Sequence, residues 1–164
     1  MNMPIIPAAT VFLLAIGIAS AVDPPDVKEG LWSIQRHNVD NPGNKISDSK
    51  STICRSHAYD QHVNGLTKNV KECTTVSQSS QGGKYSSKTR CVVAGTTIES
   101  EGTSTFLSDT STHSESHATY SPAMGGISET TMIVDQKYLG SCPAGVQPGD
   151  MTNANGTVTH LWKH

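Results

Sequence analysis

Seven histidines and many serines and carboxylates supply this 164-residue chain with side chains from which metal sites and hydrolytic sites are built. His113 and His117 flank a glutamate in the run His-Ser-Glu-Ser-His, a spacing that suits a shared metal ion only on a helix. The run is rich in Ser and Thr and favours a strand, where the two rings point the same way but lie about 13 Å apart. We therefore predict a solvated strand face and no metal.

Other pairs of candidate catalytic residues have equally ordinary interpretations. His57 and His62 would lie about 140° apart around a helix, which disfavours a shared ion. Glu99 and Glu101 alternate on a predicted strand, about 7 Å apart, a spacing that some acid–base pairs use. An exposed polar strand face explains them as well. The sequence contains no nucleophile elbow, zinc-protease helix, P-loop or C-x-x-C motif, so we predict no catalytic residues, no metal and no cofactor.

The four cysteines, Cys54, Cys73, Cys91 and Cys142, are an even number, which favours two disulfides in an exported protein. A four-cysteine zinc site needs closely spaced cysteine pairs, and this sequence has none. Cysteines that are paired in disulfides are also not available as nucleophiles.

The segment from Cys73 to Cys91 predicts a β-hairpin and selects the pairing. Two alternating, Ser/Thr-rich runs flank Gln81-Gly82-Gly83, and a three-residue loop at that point places Cys73 opposite Cys91. The remaining bond is then Cys54–Cys142, which ties the start of the domain to its end.

Residues 1–21 read as an export signal. An apolar run over 11–18 precedes Ala19-Ser20-Ala21, which predicts cleavage after Ala21. The run is too short to span a membrane, no later apolar stretch is longer, and no cysteine follows the cleavage site as a lipid anchor. We expect a periplasmic or secreted chain with a disulfide-tied β domain over 22–142. The residues 143–164 are rich in Pro, Gly and Asn and are expected to form a loosely held tail, in which 158–162 could add an edge strand.

The elements that position these residues are predicted to be strands. Alternating apolar and polar residues recur from Gly30 onwards, and the only helical pattern is 56–64, with Ser56 as its cap and Tyr59 and Val63 four residues apart. Because no long helix separates the strands, they must pair antiparallel. The predicted fold is all-β: a single meander sheet or half-closed barrel of six to eight strands with one short helix.

Alternation also predicts an apolar sheet face that could hold a ligand. Its candidate members are Trp32, Ile34, Val93, Phe106, Met132 and Val134. We expect a non-enzymatic binding or envelope-associated module whose concave face takes a small apolar ligand or a segment of an envelope partner. The alternative is an enzyme of unknown class that uses His and carboxylate residues at a sheet mouth. A net charge of −2 with scattered basic residues argues against nucleic acid as a partner.

The order of several short motifs resembles domain of unknown function 3617, a family of small exported bacterial proteins. They are Gly30-Leu-Trp32, Cys54, the Cys73/Cys91 hairpin, the glycine-bearing segments Gly95-Thr96 and Glu101-Gly102-Thr103, Tyr138-Leu-Gly-Ser-Cys142, and Pro148-Gly-Asp150. The resemblance spans about residues 28–151 and implies export, but no activity, ligand or catalytic residue is established for the family. This chain has Ser, Thr and His where the family's loops are often rich in Met and Pro.

Overall fold

The computed structural model describes residues 22–68 and 70–162 as one antiparallel sheet with a helix packed on one side. The predicted export signal over 1–21 lies outside the described residues. The elements are β1 Gly30–Asn41, β2 Lys45–Arg55, α1 His57–Lys68, β3 Cys73–Gln81, β4 Lys84–Val93, β5 Thr96–Ser108, β6 Ser111–Met124, β7 Ile127–Gly140, β8 Asp150–Asn153 and β9 Val158–His160.

The strand order is β3-β4-β5-β6-β7-β1-β2-β8-β9, and every pair is antiparallel. This confirms the all-β, single-sheet prediction. The sheet is not closed into a barrel, because its outermost strands, β3 and β9, do not pair with each other. The described chain has nine strands rather than six to eight, since residues 150–153 and 158–160 extend the sheet beyond β2.

The hairpin between β3 and β4 has a shorter loop than predicted. Gln81 pairs with Lys84, so the loop is the two residues Gly82 and Gly83. Their φ angles of 59° and 74° are those that a type I′ turn requires and that glycine adopts at little cost. The three-residue loop was therefore wrong, and it was wrong because a two-residue turn matches the natural twist of paired strands better.

A β-bulge restores the predicted cysteine register. The register shifts between Thr75 and Ser77, so one extra residue of β3 is absorbed there and Cys73 again lies opposite Cys91. These two cysteines form a disulfide, with Cα atoms 4.0 Å apart. The second disulfide joins Cys54 and Cys142, and both predicted pairings are confirmed. Because β1 lies between β2 and β7, the Cys54–Cys142 bond links β2 to the segment that follows β7, on the other side of β1.

The two faces of the sheet differ in composition. We call the side that carries Trp32 the inner face and the side that carries His113 the outer face. The registers align Trp32 with Ile53 of β2 and Tyr138 of β7 on the inner face, and His113 with Asp135 on the outer face. Since side chains alternate along each strand, these pairings assign every residue of the sheet to one face.

The core lies at one end of the inner face, under α1. Its fully packed members are Val27, Trp32, Ile53 and Tyr59, of which Trp32 is completely buried. The Trp32 indole Nε1 donates a hydrogen bond to the carbonyl of Lys28 at 2.8 Å, so the polar atom of the buried ring is satisfied. The core therefore joins the extended N-terminal segment, β1, β2 and α1.

Helix α1 begins after Ser56, whose Oγ accepts a hydrogen bond from the amide of Tyr59 at 3.2 Å, which confirms the predicted cap. It extends to Lys68 instead of ending at 64, because a single glycine such as Gly65 costs only about 1 kcal/mol inside a helix. Within the described ranges, no helix is long and apolar enough to cross a membrane.

Gly30 is required by a close approach of β1 and β7. Its φ is 138°, and a Cβ atom there would collide with the carbonyl oxygen of Gly140 and the ring of Tyr138. The register between β1 and β7 also shifts between Leu31 and Trp32. Glycine at position 30 therefore lets the start of β1 lie against the end of β7, next to the Cys54–Cys142 bond.

Candidate functional site

A cleft of about 760 Å3 lies between α1, residues 23–26 of the N-terminal segment and the inner face of the sheet. Its apolar residues from the sheet are Ile34, Ile53 and Phe106, which come from three different strands. The helix contributes Tyr59 and Val63. The cleft is therefore a space between layers, and it lies beside the packed core.

Arg55 places a positive charge in this cleft. Its Nε donates to Asp60 Oδ1 at 2.9 Å and its Nη1 donates to Gln136 Oε1 at 3.1 Å. The guanidinium carbon lies 5.1 Å from the centre of the Trp32 ring, a cation–π distance, and only 16% of the side chain is exposed. Contacts with Trp32 of β1, Asp60 of α1 and Gln136 of β7 thus hold the guanidinium in one orientation.

The start of α1 fixes the N-terminal segment at the edge of the cleft. The backbone amide of His57 donates to Glu29 Oε1 at 2.8 Å, and the His57 ring Nε2 lies 3.1 Å from the carbonyl oxygen of Val27. Burial raises the pKa of Tyr59 above its usual 10.0, and Asp60 adds to the rise while Arg55 opposes it. The phenol therefore stays neutral and can act as a hydrogen-bonding group.

The C-terminal segment holds the helix from the other side. The Trp162 ring lies 5.7 Å from the His62 ring, nearly parallel to it, and 6.0 Å from the Tyr59 ring. Gly149 makes this contact possible, because a Cβ atom there would lie 2.7 Å from Trp162 Cβ. Its amide also donates to the carbonyl of Cys54 at 2.8 Å. The segment after residue 142 therefore packs against the helix that covers the cleft.

The six residues of the predicted ligand face all lie on the inner face, but at different places along it. Ile34 and Phe106 line the cleft. Trp32 and Val134 are buried in the sheet surface, Met132 is half-buried, and Val93 is 40% exposed at the corner beside the Cys73–Cys91 hairpin. The face is continuous in register, and its helix-covered end carries the cleft under α1.

Sequence reasoning overlooked Arg55 and Gln136 as cleft residues. Both fall on the inner face by alternation, Arg55 with Ile53 and Gln136 with Val134. The sequence did contain a signal for Arg55, because a charged side chain at a position where the strand alternation expects an apolar residue must find partners inside the fold.

The histidines and carboxylates of the predicted polar face lie on the outer face. His113 Nδ1 is 2.7 Å from Asp135 Oδ1, and its Nε2 is 3.1 Å from Glu115 Oε1. The hydrogen bond to Asp135 raises the pKa of His113, and Glu115 raises it further. Because carboxylates face both ring nitrogens, the doubly protonated ring is favoured, and such a ring is a poor general base.

The other outer-face candidates take part in ordinary surface pairs. Glu99 lies 3.7 Å from Arg90, and Glu101 lies 3.7 Å from Lys88, both across β4 and β5. His117 lies on the same strand as His113, as predicted. In the part of the chain that the structure describes, no three His, Cys, Asp or Glu residues are grouped so that they could hold a metal ion.

Several of the motifs that are dispersed in the sequence meet at the helix-covered end, whereas the Cys73/Cys91 hairpin lies at the far edge of the sheet. Gly30 and Trp32 contact Tyr138, and the Cys54–Cys142 bond lies beside them. No curated protein matches this chain. A family model described as a protein of unknown function (DUF3617) matches residues 27–142, which include both disulfides and seven of the nine strands. The chain belongs to the DUF3617 family.

Proposed function

We propose that this chain is an exported, non-enzymatic binding module that takes a small apolar ligand, or an apolar segment of an envelope partner, in the cleft under α1. The observation that carries the proposal is the cleft itself. It opens on the most apolar part of the sheet and has the volume typical of small-molecule sites.

The lining suggests how such a ligand would be oriented. Ile34, Ile53 and Phe106 offer an apolar surface, while Arg55 and Gln136 form a hydrogen-bonded polar pair beside them. An apolar body would lie on the sheet residues, and a polar end would lie towards the guanidinium. The helix and the N-terminal segment add polar groups such as Asp26 and Asp60, so the apolar contact for a ligand lies mainly on the sheet side of the cleft.

Both disulfides support export to the periplasm or the medium, since such bonds persist in oxidising compartments. All four cysteines are paired, which is the state expected of a protein that folds outside the cytoplasm. The apolar run over 11–18 and the small residues before the predicted cleavage point support the same conclusion.

Native mass spectrometry of the protein purified from its own envelope tests the proposal directly. We expect an additional mass from a bound ligand, or a co-purifying envelope protein. A solvatochromic apolar dye gives a second readout, since it should bind in the cleft and be displaced by the natural ligand.

Phe106→Ala should weaken dye binding about tenfold, the ratio that corresponds to about 1.4 kcal/mol. Leu107→Ala is the matched control, because Leu107 is the next residue of β5 and is 67% exposed. Equal affinities for the two variants, or no bound species from the envelope together with no dye binding, would refute a ligand site under α1.

A further inference from the structure

One edge of the sheet is unusually open to pairing. β3 is the outermost strand on its side, has nine residues and contains no buried residue. Its sequence from Cys73 to Gln81 has no charged residue and no proline, the two devices that most often protect an edge strand. The opposite edge, β9, has only three residues.

The hairpin geometry identifies which backbone groups of β3 point outwards. In a two-residue hairpin the residues flanking the turn, Gln81 and Lys84, form a hydrogen-bonded pair. Because bonding alternates along an antiparallel ladder, Ser79 and Ser77 bond to β4, whereas Gln78 and Ser80 direct their N–H and C=O groups away from it. The bulge between Thr75 and Ser77 limits the regular edge to the segment 77–81.

The side chains of this segment are complementary to themselves. Serine hydroxyls and glutamine amides both donate and accept hydrogen bonds, so an identical strand can satisfy them. The sheet already uses such pairs between neighbouring strands: Thr89 with Ser100 at 2.7 Å, and Ser104 with Ser114 at 2.8 Å. An antiparallel copy of β3 could make the same kind of contact.

We propose that two copies of this chain associate through their β3 edges, antiparallel about a two-fold axis near Ser79, the centre of the segment 77–81. The interface joins the two sheets into one continuous sheet. The assembly stops at two copies, because a two-fold contact uses the same edge of both chains and β9 offers no comparable second edge. A five-residue pairing is small, so the dimer is weak and forms only at high concentration.

Sedimentation velocity of the oxidised, purified protein over a concentration series up to about 1 mM tests the proposal. The wild-type chain should shift from monomer to dimer and no further. Gln78→Pro removes an outward N–H without removing a bond to β4, a position at which an edge strand tolerates proline. This variant should stay monomeric throughout the series, whereas Gln78→Thr, which keeps the N–H and a β-favouring side chain, should dimerise like wild type.

Gln78→Lys provides an independent variant in case the proline impairs folding, because it puts one like charge from each copy close to the axis and should also abolish the dimer. A wild-type chain that is monomeric at every concentration would overturn the proposal. So would a folded Gln78→Pro or Gln78→Lys variant that dimerises like wild type, or assemblies that grow beyond two copies.

Discussion

The two disulfides mark two regions of the sheet that are held together in different ways. Around Cys54–Cys142, buried side chains such as Trp32, Ile53 and Tyr59 pack between sheet, helix and both terminal segments. Around Cys73–Cys91, no residue of β3 or β4 is buried. The buried core of the described chain is thus concentrated at one end of the sheet, and the hairpin end has no second layer packed on it.

The hairpin region relies on hydrogen bonds between strands instead. Besides the backbone ladder, hydroxyl pairs connect neighbouring strands, among them Ser86 with Thr103 at 2.8 Å on the outer face. Each such bond contributes only about 1 kcal/mol net, because the hydroxyls also bond well to water in the unfolded chain. The comparison implies that the two regions should respond very differently to the same kind of substitution.

The largest expected effect separates the two disulfides. Replacing Cys54 and Cys142 together by Ser should lower the free energy of unfolding by about 4–5 kcal/mol, and replacing Cys73 and Cys91 by about 3. The difference follows from the sequence separations of 88 and 18 residues, since the longer loop loses more entropy when it is closed. Urea melts of the two double variants measure both values. A larger loss of stability in the Cys73/Cys91 variant would contradict the expectation that the Cys54–Cys142 bond stabilises the fold more.

Trp32→Ala should cost about 3–5 kcal/mol, because it leaves a cavity in the only fully packed part of the described sheet. Val93→Ala, at the hairpin end of the same face, should stay within about 0.5 kcal/mol, as for other exposed positions. Denaturant melts followed by circular dichroism compare the two variants. Similar losses of stability for Trp32→Ala and Val93→Ala would refute the comparison.

The Trp32 ring and the Cys54–Cys142 bond should also be coupled. Because Cys54 is in β2 beside the start of β1, combining Trp32→Ala with the Cys54/Cys142 replacement should give a loss of stability that differs from the sum of the separate losses.

A hydroxyl pair on the long strands should have an intermediate effect. Ser104→Ala should lower stability by about 0.5–1.5 kcal/mol, since it leaves the Ser114 hydroxyl without its partner at a half-buried position. Replacing both serines by Ala should cost less than the sum of the two single changes. Thermal melts of the three variants form a double-mutant cycle, and strict additivity would show that the pair contributes nothing.

Acid should affect the helix-covered end through Asp150. The backbone amide of Gln147 and the ring of His160 both form hydrogen bonds with this carboxylate. Together they hold the pKa of Asp150 below its usual 3.8, and the Gln147 amide has the larger effect. The charged form is therefore favoured by folding, and its contribution is present above about pH 3.8 and lost as the pH falls through the lowered folded pKa. Acid titration of tryptophan fluorescence should show less loss at low pH for Asp150→Asn than for wild type. An acid titration curve that is the same for Asp150→Asn and wild type would contradict this role.

The smallest effect, of opposite sign, is expected on the outer face. Because the pKa of His113 is raised in the folded chain, its contribution to stability is full below about pH 6.5 and is lost as the pH rises through the raised value. His113→Gln should remove this alkaline decrease. Asp135→Asn should lower the pKa of the ring, which NMR titration of the imidazole signals measures directly. A ring that titrates identically in wild type and Asp135→Asn would disprove the pairing.

Much of the architecture could be predicted locally. Alternation located β1, β5 and β7, and the cysteine spacing around a glycine turn predicted both disulfides. These features depend on residues that are close in sequence or on an exact side-chain period of two, so a short stretch contains the information. The cap at Ser56 was predicted for the same reason.

The size of the Gly82–Gly83 loop could not be predicted in this way. A three-residue loop and a two-residue loop with a bulge at 75–77 give the same Cys73–Cys91 pairing, so the cysteines do not distinguish them. The extent of α1 was likewise missed, because the cost of Gly65 inside a helix, about 1 kcal/mol, is too small to end it at Asn64.

The amino-acid sequence by itself determined that this chain is an antiparallel β protein with two disulfides, because side-chain alternation and cysteine register act over a few residues. Only the tertiary structure decided that β1 lies between β2 and β7, that residues 150–160 extend the sheet, and that Arg55 and Gln136 meet beside a cleft under α1. Those arrangements join residues as far apart in sequence as Ser33 and Lys137, which are separated by 104 positions. Their energies depend on which surfaces pack together, and no local pattern contains that information.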